Sequence, residues 1–254
     1  MNYDEFLSIK LNRPSAVGFE PVNTNPSLFD WQQKIVEWAV RRGRCALFED
    51  CGLGKTAQQL EWARQVVEHT GGSVLILAPL AVTEQTVEEG AKFGINVTLC
   101  RQPEQMPDRG IGITNYDRLE LFEDVTRKVA GVVLDESSIL KAFNGKTRLE
   151  ITKAFASTPY RLACTATPSP NDLMELSNHA EFLGVRSRAE MLAEFFVHDG
   201  GDTQTWRLKG HARKVFWRWV ASWGAMVRSP ADLGHDASAY VLPPLNVHQH
   251  TVET

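Results

Sequence analysis

The run Glu49-Asp50-Cys51-Gly52-Leu53-Gly54-Lys55-Thr56 brings two glycines, a lysine and a hydroxyl together in an order that can cradle phosphate groups. Glycine lets the backbone curl close to an anion, because no Cβ stands between its amides and the phosphate oxygens. In this pattern the amides at the start of the following helix supply positive potential, Lys55 reaches the β and γ phosphates of a nucleoside triphosphate, and Thr56 ligates magnesium. A second pair, Asp135-Glu136, closes the apolar run Val132-Val133-Leu134. Adjacent acids at a strand end can divide labour: Asp135 would hold magnesium through its water shell, and Glu136 would orient and deprotonate the water that attacks the terminal phosphate. Two such acids also suit a solvated turn or a helix cap, so it is the phosphate loop upstream that gives them a chemical reading. Lys55, Asp135 and Glu136 are therefore the expected catalytic residues, Cys51 through Thr56 the expected nucleotide loop, and Thr56 with Asp135 the expected magnesium ligands.

These groups need a frame that holds strand ends side by side. From Leu28 onward short apolar runs alternate with helical periodicity, the layout of an α/β fold with a mainly parallel sheet and helices on both faces. Strands are predicted at 45–48, 73–78, 96–100, 110–115, 131–134 and 161–164. Trp31, Ile35, Trp38 and Ala39 share one helical face before the first strand, as Leu60, Ala63 and Val67 do after it. Residues 1–27, with Pro14, Pro21 and Pro26, are expected to form an extended arm, 28–182 the sheet-bearing lobe, 183–236 a helical protrusion and 237–254 a return segment.

Composition bounds the rest. With 254 residues, 43% hydrophobic and 23% charged, the chain buries a core and is not disordered as a whole. A net charge of −4 gives no general basic field, so any nucleic-acid contact must come from a local patch. Cys45, Cys51, Cys100 and Cys164 form no CxxC pair, the start of the chain lacks a signal-peptide layout, and the most apolar stretch is too short to span a bilayer. A cytoplasmic protein with no structural zinc and no membrane contact is expected.

The phosphate loop departs from the strict G-x-x-x-x-G-K-S/T form, because Glu49 stands where the first glycine belongs. It resembles instead the D-E-M-G-L-G-K-T loop of Swi/Snf-type motors, a branch of the superfamily 2 helicases, and other blocks follow in that family's order. Leu28-Phe29-Asp30-Trp31-Gln32 is similar to the glutamine motif, which implies that Gln32 reads the adenine edge of ATP; an ordinary helix glutamine is the alternative. Ala78-Pro79-Leu80 with Thr83 resembles motif Ia, and Thr114-Asn115-Tyr116 the block before the acids, so the resemblance implies that Pro79, Thr83 and Asn115 touch nucleic acid. Asp135-Glu136-Ser137-Ser138 resembles the DExx box but departs from DEAD and DEAH at its last two positions. Thr165-Ala166-Thr167-Pro168 is similar to motif III, in which Thr165 and Thr167 would couple the nucleotide site to the nucleic-acid site, and Asn171 through Leu176 continues the remodeller pattern.

The family implies a RecA-like P-loop NTPase lobe carrying a helical insertion, with ATP and Mg²⁺ as its ligands. It also implies a DNA partner, expected to be double-stranded, and a second RecA-like lobe, in cis or in trans, that supplies arginines to the site. No arginine here is a convincing substitute, so slow ATP hydrolysis by this lobe alone is expected. Beyond Leu183 the strand signals fade, and 186–227 reads as mainly helical, with Val215, Trp219, Trp223 and Met226 on one stripe. Arg213, Lys214 and Arg218 lie nearer another stripe with Trp217; they suit either a phosphate backbone or a solvated face. Met226 through Ser229 and Leu242-Pro243-Pro244 resemble the exit of the family's protrusion. The leading reading is the ATP-binding lobe of a DNA helicase or translocase from a bacterial or phage-infected cell. A non-motor ATP-dependent binding module, half of a split motor needing a partner lobe, and a small-molecule kinase or transport ATPase are the rivals.

Overall fold

The computed structural model describes residues 16–141, 145–199 and 202–241. Helix α1 (Asp30–Arg42) leads into β1 (Arg44–Glu49), followed by α2 (Lys55–Thr70), β2 (Ser73–Ala78), α3 (Thr83–Lys92), β3 (Val97–Leu99) and β4 (Gly110–Asn115). Next come α4 (Glu123–Thr126), β5 (Gly131–Asp135), α5 (Lys146–Ala154) and β6 (Tyr160–Thr165). The chain continues through α6 (Leu176–Phe182), α7 (Arg188–Phe195), β7 (Phe196–Asp199), β8 (Asp202–Leu208), α8 (Arg213–Val220) and β9 (Gly224–Val227).

Seven strands form one sheet in the order β3-β4-β2-β5-β6-β1-β9, and every neighbouring pair is parallel. Side chains alternate across it as the pleat requires. Phe48, Leu75, Leu77, Val132, Leu134 and Ala163 face a core completed by Phe122, Phe155, Phe182, Phe216 and Trp219. Cys45, Leu47, Val74, Ile76, Val133 and Leu162 face the other core, closed by Val36, Leu60, Trp62 and Val66 of α1 and α2. With both faces covered, the strands read as continuous apolar runs, and functional groups are left to the carboxyl edge.

All six predicted strands are present. β1, β5 and β6 each run one residue past their expected ends, because Glu49, Asp135 and Thr165 still hold register with Val227, Cys164 and Phe48. β3 is shorter than expected. The described part of the arm docks rather than projecting: Val17 and Phe19 donate backbone bonds to Arg42 and Val40, and the Gln65 amide pairs both ways with the Val22 backbone.

The expectation of a mainly helical 186–227 is corrected. β7 and β8 pair as an antiparallel hairpin, and β9 returns to the main sheet beside β1. The stripe through Val215, Trp219, Trp223 and Met226 breaks because α8 ends at Val220; Met226 lies on β9 and is 43% exposed. The expected protrusion, 183–236, thus includes a strand of the main sheet, Gly224–Val227. Nor does the segment pack separately: Met191, Phe195, Phe216, Trp219 and Trp223 share one core with the sheet. Local periodicity could not reveal β9, whose four residues are stabilised by pairing with a distant strand. Leu242-Pro243-Pro244 lies outside the described residues.

Candidate active site

β1, β6 and β5 lie side by side and end in Glu49, Thr165 and Asp135, so the phosphate loop and the acid pair flank one strand, roughly 10 Å apart at ordinary strand spacing. The loop turns through Gly52 and Gly54, both in the left-handed region at φ 82° and 76°. At Gly52 a Cβ would meet nothing within 4 Å, which leaves open room against the loop; at Gly54 it would stand 2.5 Å from Gln32 Nε2. Gly54 caps α2, a helix of 16 residues, with no side chain bonded to its first amides and no acid in its first turn. That end keeps its positive potential for an anion. Lys55 has no carboxylate partner among the described residues; its ammonium donates to the carbonyls of Glu49 (2.8 Å) and Asp50 (3.0 Å). These features fit a triphosphate.

The acid pair is held from several sides. Burial raises the Asp135 carboxyl above its usual range, opposed by Gln59 beside it and by the nearby Lys55 charge, while Glu136 adds to the rise. Lys55 and Asp135 thus act on one another across β6. Tyr116 Oη donates to the Asp135 carbonyl at 2.7 Å. Glu136 sits at φ 55°, a left-handed conformation that costs a non-glycine residue roughly 1 kcal/mol or more and is common at working sites. Its Oε1 accepts from Thr165 Oγ1 at 2.7 Å and from Ser138 Oγ at 3.1 Å. Thr167 donates its backbone N–H to Thr165 Oγ1 at 3.0 Å, while its side chain is exposed. The departures from DEAD and DEAH are filled in kind: Ser138 bonds Glu136, and Ser137 Oγ lies 3.1 Å from Nε2 of His179 on α6.

Gln32 is brought to the loop. Its Nε2 donates to the Leu53 carbonyl at 2.9 Å, and its Oε1 accepts from the Phe29 amide at 3.0 Å. The same Leu53 carbonyl accepts from Gln58 Nε2 at 3.2 Å, which also donates to Glu49 Oε2 at 2.8 Å. Cys51 is the exposed tip of the loop, whereas Leu53 is buried beneath it. Residue patterning missed Glu49, Gln58, Gln59, Tyr116 and His179. The available signal was polarity out of place, because Glu49, Gln58 and Gln59 are completely buried among apolar neighbours.

Pro79, Thr83 and Asn115 gather elsewhere on the same edge, where β2 and β4 end. Thr83 and Asn115 line a groove of about 310 Å³ with Leu80, Arg101, Thr114 and Arg118, while Pro79 stands outside it at the strand end. The Thr83 hydroxyl is spent on the Leu80 carbonyl and the Asn115 amide on Asp117. The groove's exposed cation is Arg101, paired with Glu84 at 3.2 Å; Arg118 donates to the Arg101 carbonyl.

This arrangement has relatives. The human TATA-binding protein-associated factor 172 is 27% identical over 194 residues, covering 64% of this chain and 10% of that protein. The ATP-dependent helicase FUN30 of Saccharomyces cerevisiae is 27% identical over 183 residues, 62% of this chain and 16% of its own length. The chain thus spans a small part of these relatives. The fold matches the Sulfolobus solfataricus SWI2/SNF2 ATPase core in complex with dsDNA, with a TM-score of 0.68 at 22% identity over 85% of this chain and 47% of that one. The SNF2-related domain model matches residues 31–220, from the helix that carries Gln32 through the whole phosphate loop, acid pair and threonine block, and the chain accordingly belongs to the SNF2-related domain family.

Proposed function

We propose that this chain is the ATP-binding and hydrolysing lobe of a DNA translocase or helicase. The observation that carries the reading is the placement of the Lys55 loop and the Asp135-Glu136 pair at the ends of β1 and β5, on either side of β6, whose Thr165 bonds Glu136. Lys55 leaves its two loop carbonyls for the β and γ phosphates, the amides from Cys51 to Thr56 cradle them, and Gln32 selects the adenine. Magnesium, held by Thr56 and by Asp135 through water, would neutralise charge on the transferred phosphoryl group. That role needs the ionised carboxylate, which Gln59 and the loop lysine favour and which burial and Glu136 oppose. Glu136 orients and deprotonates the attacking water, with its carboxylate fixed by Thr165 and Ser138. Thr165 and Thr167 pass the state of that carboxylate to the sheet edge where Pro79, Thr83 and Asn115 meet the DNA backbone.

Duplex DNA is favoured because the matched Sulfolobus core was solved with it, and a second RecA-like lobe because this chain covers less than half of that one. The four free cysteines suit a cytoplasmic setting, and no helix among the described residues is long and apolar enough to cross a membrane. The test is a magnesium-ATP titration followed by phosphate release. Lys55→Ala should abolish nucleotide binding, whereas Glu136→Gln should bind normally and lower turnover by roughly 10² to 10⁴. A Lys55→Ala chain that binds as wild type would remove the basis of the assignment.

A further inference from the structure

On α8 the exposed residues Arg213, Lys214, Arg218 and Ala221, with half-buried Trp217, occupy one face, opposite buried Phe216, Trp219 and Val220. With Gly210 and His211 they line a shallow open groove of about 640 Å³. Among the described residues, none of the three cations has an ion-pair or hydrogen-bond partner. Of the other exposed arginines, Arg41, Arg101 and Arg127 are paired with acids, whereas Arg109 and Arg228 form no ion pair among the described residues.

The placement is unfavourable for α8 by itself. Arg213 and Lys214 sit in its first turn, where the helix dipole is positive, and no acid stands there to offset them. Lys214 and Arg218 are four residues apart, a spacing at which like charges repel. A face that only needed solvation would be served equally well by acids at its start, in a chain whose net charge is −4. The neighbouring groove, which shares His211, carries Glu181, Glu190 and Glu194 against Arg186 and Lys209, so no excess of positive charge extends into it.

We infer that this face of α8 is a second nucleic-acid contact, binding the phosphate backbone through Arg213, Lys214 and Arg218 at a place separate from the groove at the ends of β2 and β4. The inference rests on the DNA reading above. The cations follow the phosphates, and Trp217, whose ring meets Phe216 edge-on at 5.3 Å, lies between them where bound DNA would alter its emission.

The test uses the 254-residue chain and its Arg213→Gln/Lys214→Gln/Arg218→Gln variant, each titrated with labelled duplex and single-stranded DNA over a range of salt. The variant is expected to bind more weakly, with a log–log salt slope smaller by about 2 to 3 on duplex. DNA-free ATPase activity should be unchanged, and thermal stability equal or slightly higher, because charges opposing the helix dipole are gone. A loss confined to one form of DNA supports the site and assigns it to that form. Unchanged slope and affinity in the variant overturns the inference while leaving the translocase reading intact, whereas a wild type that binds neither form overturns that reading itself. Displacement of DNA by polyglutamate at equal charge concentration would also overturn it, in favour of an acidic protein partner.

Discussion

Glu49 stands where the strict phosphate-loop pattern has glycine, and it is fully buried at the end of β1. Burial pushes its carboxyl up to about 7 from 4.5, against the Gln58 hydrogen bond and the Lys55 charge. A folded state that holds a proton more tightly than the unfolded one gains stability at low pH, so this contribution is complete below 4.5 and vanishes as pH rises through 7. His179 works in the opposite sense: burial lowers its imidazole to about 4 from 6.5, and it withdraws stability as pH falls below 6.5. Glu49→Gln removes only the first effect. Relative to wild type, the variant should therefore gain about 2 kcal/mol on going from about pH 5.5 to about pH 8 in urea unfolding; an equal difference at both values would refute the buried-acid account. Thr165→Val tests the neighbouring hydroxyl. Losing a hydrogen bond to a carboxylate is worth about 1.5 to 3 kcal/mol, so turnover should fall roughly 10- to 100-fold with nucleotide affinity unchanged.

At the scale of elements, β9 is the part of the sheet that sequence patterning did not anticipate, and it bears directly on the phosphate loop. Asp50, the first residue past β1, donates its backbone N–H to the Val227 carbonyl at 3.0 Å, and Ala46 donates to the Trp223 carbonyl at 2.8 Å. Trp223 anchors this edge, fully buried with its ring edge-on to Phe48 and to Trp219. Trp223→Ala should cost about 3 to 5 kcal/mol in chemical denaturation. The folded variant should also bind magnesium-ATP more weakly, because the loop loses its rigid flank. Normal affinity in the folded variant would make Trp223 a core residue only. The glycine-bearing turn and the helix after it were legible beforehand, since both follow from local backbone chemistry.

For the whole molecule, the chain matches about half of the Sulfolobus core, 47% of its length, and three of its arginines are engaged away from the phosphate loop. Arg148 and Arg186 are paired with Glu181 and Glu194, and Arg161 bonds backbone carbonyls at Thr158 and Phe182. ATP turnover by this chain alone is therefore expected to be slow. Supplying a second lobe with its arginines should raise turnover by roughly 10³ to 10⁵, as arginine fingers do in other phosphoryl-transfer enzymes. Single-turnover phosphate release with and without that lobe, in the presence of duplex DNA, measures the difference. Rapid DNA-stimulated turnover by the chain alone would contradict it.

The glycine-bearing turn, the acid pair at a strand end, the six strands and the order of these blocks were determined by residue type and spacing alone. Each depends on contacts within a few residues: a glycine that frees the backbone, a lysine one step into a helix, an apolar run ending in acids. Only the tertiary structure decided that Thr165 bonds Glu136, that Gln58 bridges Glu49 and Leu53, that His179 meets Ser137, and that Gly224–Val227 completes the sheet. Those contacts join residues brought together by strand order and by helices crossing the sheet. Spacing along the chain carries no trace of them, because the free energy that fixes them is the burial and pairing of distant segments.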